Sequence, residues 1–159
     1  EEDKCDIDSL LADVKQAIDG WGCDTFLLDP WNEIQYTLAG GETETRYIST
    51  TLAKIREFCR RNNVHGYIIA HPTKMQKDQK GEYLIPTAYD VAGSAHFYNK
   101  LDFILTVHRD DLTKDEPSVY VPKVKFKNLG KIGKNTMCYD WKTGRISENF
   151  TDFRLPGES

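Results

Sequence analysis

The sequence predicts an α/β fold with a mainly parallel sheet, flanking helices and a C-terminal antiparallel hairpin. The first two thirds of the chain alternate short apolar runs with amphipathic segments of helical period, which is typical of parallel strands joined by helical crossovers. The last third holds two apolar runs joined by a glycine-bearing turn, which predicts the hairpin. The 159 residues and the hydrophobic content of 39% suit a single domain with one buried core.

Two long amphipathic helices are predicted. The first ends at Gly20, and the second spans Glu42–Asn63. Acidic Glu44 near the start of the second helix and Arg60-Arg61 at its end match the helix dipole. The apolar positions that define the two stripes are Ile7, Leu10, Leu11, Val14 and Ile18 in the first and Ile48, Leu52, Ile55 and Cys59 in the second.

Three short apolar runs predict buried strands of the parallel sheet. They are Thr25–Leu28, Gly66–Ala70 and Asp102–His108. The first two runs stop at prolines, which cannot donate to a strand ladder. A short helix is predicted within Val91–Lys100, before the third strand.

The remaining segments predict a loop and the closing hairpin. Thr73–Tyr83 is polar and rich in lysine, and we expect a mobile loop there. Val119–Phe126 and Thr136–Trp141 predict the two hairpin strands, with Gly130–Gly133 as their turn. Lys142–Gly144 predicts a second tight turn.

Charge is distributed unevenly along the chain. The net charge is −4, which by itself argues against a nucleic-acid-binding protein. Residues 121–145, however, carry seven cations and one acid, so the rest of the chain has a net charge of −10. This lysine-rich ribbon can reach the phosphates of a nucleotide or of DNA, or it can be the solvated face of a hairpin.

Composition and spacing disfavour several other classes. The apolar runs hold only about five residues, whereas a membrane-spanning helix needs ~20. The four cysteines and four histidines lack C-x-x-C and H-x₃-H spacing, which favours reduced thiols and disfavours a zinc site. The chain begins at Glu1 rather than at Met, and we expect it to be a piece of a longer protein.

Polar residues stand at the carboxyl ends of all three predicted strands, where ligands of parallel α/β sheets gather. They are Asp29, His71 and His108-Arg109. An acid at Asp29 can hold a Mg²⁺-bound water beside a nucleotide phosphate, although a turn acid is the commoner case for such a residue alone. An imidazole at His71 can contact a γ-phosphate and report its loss, although a histidine satisfied by the backbone is again the commoner case.

Glycine-containing segments give two further observations. Gly93-Ser94-Ala95 can open a helix whose N–H groups face a phosphate, or it can be an ordinary turn of small residues. Gly130–Lys134 resembles half a phosphate-binding loop, but the spacing G-x-x-x-x-G-K-[ST] occurs nowhere in the chain.

Taken in order, these features resemble the second half of the RecA-like motor domain of hexameric replicative helicases. They resemble most closely the Twinkle and phage helicase–primase family, which is related to the DnaB type. Five segments within residues 24–145 carry the resemblance. Phe26–Asn32 resembles the family's Walker B strand, and Ile68–Lys74 resembles its sensor strand. The other three resemble the helix and lead-in between these strands (Glu42 to His65), the DNA-loop motif with its following strand (Pro86 to Arg109) and the finger hairpin (Val121 to Gly133).

The resemblance implies a partial RecA-like P-loop NTPase core and assigns roles on its first strands. Asp29 would organise Mg²⁺ through water, and His71 would sense the γ-phosphate of bound ATP or dNTP. The Thr73–Tyr89 loop would face single-stranded DNA in the channel of a ring. Its candidate contacts, with those of the following motif, are Lys74, Gly93, Ser94 and Ala95.

The resemblance also implies an intersubunit nucleotide site. Arg109 and Tyr139 resemble the pair that clamps the nucleotide base, and flat side chains suit that role. Lys123 and Lys125 match the lysine and arginine that reach the neighbour's NTP, with Lys127 as the alternative finger residue. A lysine in the finger position departs from the family, because it is a point charge rather than a bidentate fork.

For the whole protein, the resemblance implies an NTP-driven 5′-to-3′ DNA helicase that forms a homo-hexamer, with or without an upstream primase domain. It implies that the protein binds single-stranded DNA and does not bind a membrane. It also implies a location in a bacterial or phage-infected cytoplasm or in an organelle matrix. The Walker A loop would precede Glu1, so we expect no hydrolysis by the isolated chain. The alternatives are a nonenzymatic RecA-like half-domain that binds DNA or a partner, and a RecA- or RadA-type recombinase core.

Overall fold

A computed structural model describes residues 6–35, 38, 40–73, 75–79, 81–91 and 95–148. These residues form two compact units. The first contains residues 6–73 and 89–100, and the second contains residues 75–88 and 101–148.

The first unit combines three helices with a two-stranded parallel sheet. Its elements are α1 (Ile7–Trp21), β1 (Thr25–Leu28), α2 (Glu44–Asn62), β2 (His65–Ile68) and α3 (Ala95–Lys100). β1 and β2 pair in parallel register from Thr25–His65 to Leu28–Ile68.

Both long helices begin and end at residues suited to capping. The Asp6 carboxylate accepts hydrogen bonds from the N–H groups of Asp8 and Ser9 at 2.9 and 3.0 Å, and Gly22 ends α1 with φ +70°. Thr43 Oγ1 accepts from the Arg46 N–H at 3.3 Å at the start of α2. Asn63 ends α2 in the left-handed conformation, with φ +52°.

The core of the first unit lies along the buried stripe of α2. This stripe packs against α1, β2 and α3, and it contains Ile48, Thr51, Leu52 and Ile55. The rings of Phe26 and Phe58 meet edge-on at 6.0 Å, and those of Trp31 and Phe97 do so at 5.2 Å. These contacts fix α3 and the segment after β1 against the same core.

The second unit is a four-stranded antiparallel sheet in the order β3-β4-β5-β6. Its strands are β3 (Phe103–His108), β4 (Ser118–Val124), β5 (Gly133–Asp140) and β6 (Arg145–Glu148). A bulge interrupts the β3–β4 register between Ile104 and Thr106. Residues 75–79 and 81–84 form a small hairpin closed by an antiparallel bridge between Lys77 and Tyr83.

The structure differs from the sequence-based expectations in three places. The third apolar run, β3, pairs with β4 in the antiparallel sheet rather than extending the parallel one, because a short connection favours a hairpin over a crossover. β6 was not predicted, since all four of its residues are exposed and show no apolar pattern. The segment predicted only as a loop contains a small hydrogen-bonded hairpin, in which the Asp78 N–H donates to the Glu82 carbonyl at 2.8 Å.

Candidate functional site

Asp29 and His71 lie at the same edge of the parallel sheet, as predicted, whereas His108-Arg109, which was predicted to share this edge, ends a strand of the antiparallel sheet. Each follows the carboxyl end of its strand, and the two strands are direct neighbours. Two hydrogen bonds continue the pairing past the strand ends, from the Ile69 N–H to the Leu28 carbonyl at 2.9 Å and from the Trp31 N–H to the Ile69 carbonyl at 2.7 Å. Both Asp29 and His71 are exposed, so both functional groups are accessible to a ligand.

Asn32 connects the two strand ends, although no motif or spacing singled it out. Its side-chain Oδ1 accepts a hydrogen bond from the backbone N–H of His71 at 3.0 Å. This bond uses the His71 backbone and so fixes the position from which the imidazole projects.

A second connection runs from the end of β2 to the segment that precedes α3. The carbonyl of Asp90 accepts hydrogen bonds from both the N–H and the Oγ1 of Thr73, at 2.7 and 2.8 Å. Thr73 lies two residues after His71, so the predicted sensor and the start of the predicted DNA motif are joined by a short hydrogen-bonded path. We name the Thr73–Asp90 contact the clasp.

The predicted DNA contacts are described only in part. Lys74, Gly93 and Ser94 lie outside the described residues. Ala95 is the exposed first residue of α3.

The predicted base clamp is brought together in the second unit. The guanidinium carbon of Arg109 lies 5.9 Å from the centre of the Tyr139 ring. Asp115 holds both residues: its carboxylate lies 3.7 Å from the Arg109 guanidinium, and its carbonyl accepts from the Tyr139 N–H at 2.8 Å. The acidic loop after β3 therefore positions two residues that are 30 positions apart in the sequence.

The three lysines expected to reach the neighbour's nucleotide have different surroundings. Lys123 is half-buried on β4, and Lys127 is exposed in the turn that follows this strand. The ammonium of Lys125 donates to the Asp102 carboxylate at 2.7 Å, and its backbone N–H donates to the Asp102 carbonyl at 2.9 Å. Lys125 is therefore held within its own unit in this structure.

The Asp110 cluster is a polar group that sequence reasoning missed. The Asp110 carboxylate accepts hydrogen bonds from Ser118 Oγ at 3.0 Å, Tyr120 OH at 2.8 Å and Lys134 Nζ at 2.6 Å. Burial favours a higher pKa for Asp110, but these three donors outweigh it and hold the pKa below its usual range. The only available signal was the acid directly after Arg109, because the partners come from two other strands.

The described residues bear on the expectations about metal sites, cysteines and membrane-spanning helices. Within them, no three His, Cys, Asp or Glu side chains form a group able to enclose a metal ion. Cys23, Cys59 and Cys138 are free thiols, and Cys5 lies outside the described residues. None of the described helices combines the length and the apolarity needed to cross a membrane.

The comparisons with known proteins agree with this architecture. No family model matches the chain. The chain is 35% identical over 156 residues to the Twinkle homolog protein, chloroplastic/mitochondrial, of Arabidopsis thaliana, covering 92% of this chain and 22% of that protein.

Two solved structures share the fold. One is a DnaB-like replicative helicase studied with its primase interactions, with a TM-score of 0.72 and 14% identity, over 89% of this chain and 35% of the other. The second is the RadB recombinase, with a TM-score of 0.57 and 12% identity, over 90% of this chain and 59% of the other. The chain therefore has the RecA-like fold that its residues predict, and its resemblance to Twinkle and DnaB-type helicases is confirmed.

Proposed function

We propose that this chain is the C-terminal part of a RecA-like motor domain in an NTP-dependent hexameric replicative DNA helicase. The observation that carries the proposal is the placement of Asp29 and His71 at the ends of adjacent parallel strands, in a chain similar to a Twinkle homolog over 92% of its length. Ligands of parallel sheets bind at this edge. The whole protein would couple ATP or dNTP hydrolysis to movement on single-stranded DNA and to duplex unwinding.

The edge of the parallel sheet that carries Asp29 is suited to a magnesium–nucleotide complex. Mg²⁺ usually keeps several waters and takes only one or two carboxylates plus phosphate oxygens, so a single exposed acid meets its requirement. When bound, Mg²⁺ would neutralise charge on the phosphates. Asp29 would orient it through a water molecule, and His71 would contact the γ-phosphate from the neighbouring strand.

The second unit would serve the nucleotide site of a subunit interface. Arg109 and Tyr139 lie close enough to each other to stack on a base. Lys123 and either Lys125 or Lys127 would reach the phosphates bound by the next subunit of the ring. Lys74, Gly93, Ser94 and Ala95 would contact single-stranded DNA in the central channel.

The parent protein allows a direct test of the Asp29 role. We expect Asp29→Asn to lower NTP hydrolysis by about 10–100-fold, the usual effect of losing a partner that acts on a metal through an outer shell. Asp13→Asn is the matched control, because Asp13 is an exposed acid on α1. Equal hydrolysis by the Asp29 variant and the control, measured as phosphate release at saturating Mg²⁺, would contradict the proposal.

A recombinase core is the second candidate, favoured by the structural likeness to RadB. A nonenzymatic half-domain that binds DNA or a partner is the third. Forked-duplex unwinding by the parent protein supports the helicase, and strand exchange supports the recombinase. Absence of G-x-x-x-x-G-K-[ST] within about 100 residues upstream would favour the binding module.

The place of action is a further part of the proposal. The curated relative is named as chloroplastic/mitochondrial, which supports an organelle matrix over the cytoplasm of a bacterial or phage-infected cell. Fractionation of the source cells with an antibody against the chain distinguishes these locations.

A further inference from the structure

A basic groove lies on the first unit, where the second half of α2 meets the end of α3. It has a volume of about 440 Å³, and all but one of the residues that line it are charged. Four are cations and one is an acid, so the lining has a net charge of +3. The lining residues are Ala53, Arg56, Glu57, Arg60 and Arg61 on α2 and Lys100 on α3.

The helical period of α2 places its arginines on the solvent side of the first unit. Arg56 and Arg60 are one turn apart, so their side chains are neighbours on the helix surface. Both are exposed, as is Arg61, whereas the core-facing stripe of the same helix is buried. α3 packs on α2 and ends at Lys100, which adds a half-buried cation from the second helix.

The groove is separate from the edge of the parallel sheet that carries the predicted nucleotide residues. α2 leads directly into β2, and Arg60 and Arg61 stand in the last turn of the helix, before this strand begins. His71 follows the opposite end of β2. A ligand of the groove would therefore bind beside the start of the strand, whereas a nucleotide would bind beyond its end.

The cations of the groove are accessible to an anion. Arg60 and Lys100 form no ion pair with any residue that the structure describes. Arg61 pairs with Glu57 at 2.5 Å, but the two side chains are 76% and 58% exposed. An ion pair this exposed is weak, so Arg61 can exchange its carboxylate for another anion.

The chemistry of the lining favours a phosphodiester backbone over a protein partner. A guanidinium group can donate two parallel hydrogen bonds to the oxygens of one phosphate. The centre of a protein–protein interface is enriched in aromatic and other apolar anchors, whereas Ala53 is the only apolar residue among the described residues of the lining. A groove of this size also suits a flexible single strand better than a stiff duplex.

We propose that the basic groove binds the phosphate backbone of a single nucleic-acid strand. The contact is electrostatic and independent of sequence, as backbone contacts are. It goes beyond the proposed function, because none of its residues belongs to the segments expected to face DNA in the channel or to the nucleotide site.

The test measures binding of a fluorescent 20-mer of thymidine to the full 159-residue chain at several salt concentrations. We expect the double variant Arg60→Gln with Lys100→Gln to weaken binding by about fivefold at low salt, the loss of two exposed ion pairs. The slope of log affinity against log salt should also fall in magnitude by about 1.4, because each phosphate contact on a single strand contributes ~0.7.

The matched control is the double variant Lys15→Gln with Arg46→Gln. Both residues are exposed cations on helices of the same unit, so the change in net charge is identical. This control should bind within about twofold of the unaltered chain, because charges distant from the bound strand are screened by salt. Thermal melts of every variant, followed by circular dichroism, separate lost contacts from lost folding.

Removing the acid of the groove should have the opposite effect. We expect Glu57→Gln to tighten binding of the thymidine strand by about twofold, because it releases Arg61 from its exposed ion pair. Asp13→Asn, which removes an exposed acid of α1, is the control and should leave the affinity unchanged. Equal affinities for the Glu57 variant and this control would contradict the groove contact.

The remaining outcomes separate the groove from the other proposals. Equal weakening by the two double variants, or an unchanged salt slope, would overturn the groove contact and leave the expected channel contacts intact. An equal loss on a 20-base-pair duplex would overturn the assignment to a single strand, and equal binding of a glutamate 20-mer would overturn the preference for phosphate. Failure of the unaltered chain to bind the thymidine strand would overturn the groove contact, whereas hydrolysis by the parent protein would still decide the nucleotide site.

Discussion

The carboxylate of Asp110 joins the loop after β3 to β4 and β5 through three hydrogen-bond donors. Ser118, one of them, is 1% exposed, so its hydroxyl depends on Asp110 for a partner within the protein. The hydrogen bond to Asp110 also raises the pKa of Lys134 and so stabilises its charged form. The cluster also lies directly beside Arg109 and thus supports the turn that carries the proposed base clamp.

We expect Asp110→Ala to lower the free energy of unfolding by about 1–3 kcal/mol, the usual cost of leaving a buried polar group unpaired. Glu116→Ala is the control, since this exposed acid lies in the same loop and its loss should change the free energy by about 0.5 kcal/mol or less. Urea titrations at neutral pH measure both values. Equal midpoints for the two variants would contradict the role of the cluster.

The same cluster predicts an acid-sensitive contribution to stability. Because the pKa of Asp110 is lowered on folding, its contribution is complete above the unfolded value of about 4 and is lost as the pH falls through the folded value. The unaltered chain should therefore lose more stability than the Asp110→Ala variant between neutral pH and the acid range. Parallel urea curves at each pH test this difference.

At the scale of elements, β1, β2 and α2 meet at a glycine. A Cβ added to Gly66 would lie 2.7 Å from the Phe26 ring and 3.0 Å from Cys59 Sγ. The Cys59 thiol lies in the same layer, and its burial there raises its pKa. The sheet can approach α2 this closely because position 66 lacks a side chain.

We expect Gly66→Ala to destabilise the first unit by about 1–3 kcal/mol through overpacking. Gly20→Ala gives a control of opposite sign, because no atom lies within 4 Å of the added Cβ in α1, and alanine in a helix should stabilise by about 0.5–1 kcal/mol. Thermal melts followed by far-ultraviolet circular dichroism report both. A stabilised Gly66 variant would show that the layer expands at no cost.

The hairpin at residues 75–84 can be shortened without disturbing its base. Replacing residues 77–83 with Gly-Gly keeps the Gln76–Leu84 hydrogen bond and leaves the clasp in place. We expect the assembled parent protein to lose single-stranded DNA binding and to keep its DNA-independent NTP hydrolysis. Unchanged DNA affinity would refute the assignment of this loop to the channel.

The elements that place residues in a buried core were predictable, because their sequences show an apolar pattern. β1 has the predicted bounds because apolar residues and a following proline define it. The pairing of β3 was predicted wrongly, because its apolar run resembles that of a parallel strand although its short connection to β4 favours an antiparallel partner, and β6 has no buried side to leave a pattern. The same limit applies to the candidate site. Asp29 and His71 could be selected because they follow predicted strands, whereas the contacts of Asn32 and of the Asp110 cluster depend on how the strands are arranged beside one another.

At the scale of the molecule, the chain corresponds to 22% of the length of its curated relative. We expect the isolated chain to show no NTP hydrolysis, because it has no G-x-x-x-x-G-K-[ST] loop to hold the phosphates. Phosphate release from ATP and each dNTP, compared between the chain and its Asp29→Asn variant, measures this. Hydrolysis that depends on Asp29 in the isolated chain would contradict the expectation.

The ion pair between Lys125 and Asp102 makes the proposed finger a residue with two competing partners. In a ring, this ammonium would exchange an internal carboxylate at 2.7 Å for a phosphate on the adjacent subunit. Nucleotide binding that draws Lys125 to the phosphate would then also favour closure of the ring. Because such coupling is reciprocal, ring closure would tighten nucleotide binding. In the proposed ring, nucleotide binding would thus favour assembly at the expense of the Lys125–Asp102 ion pair within each subunit.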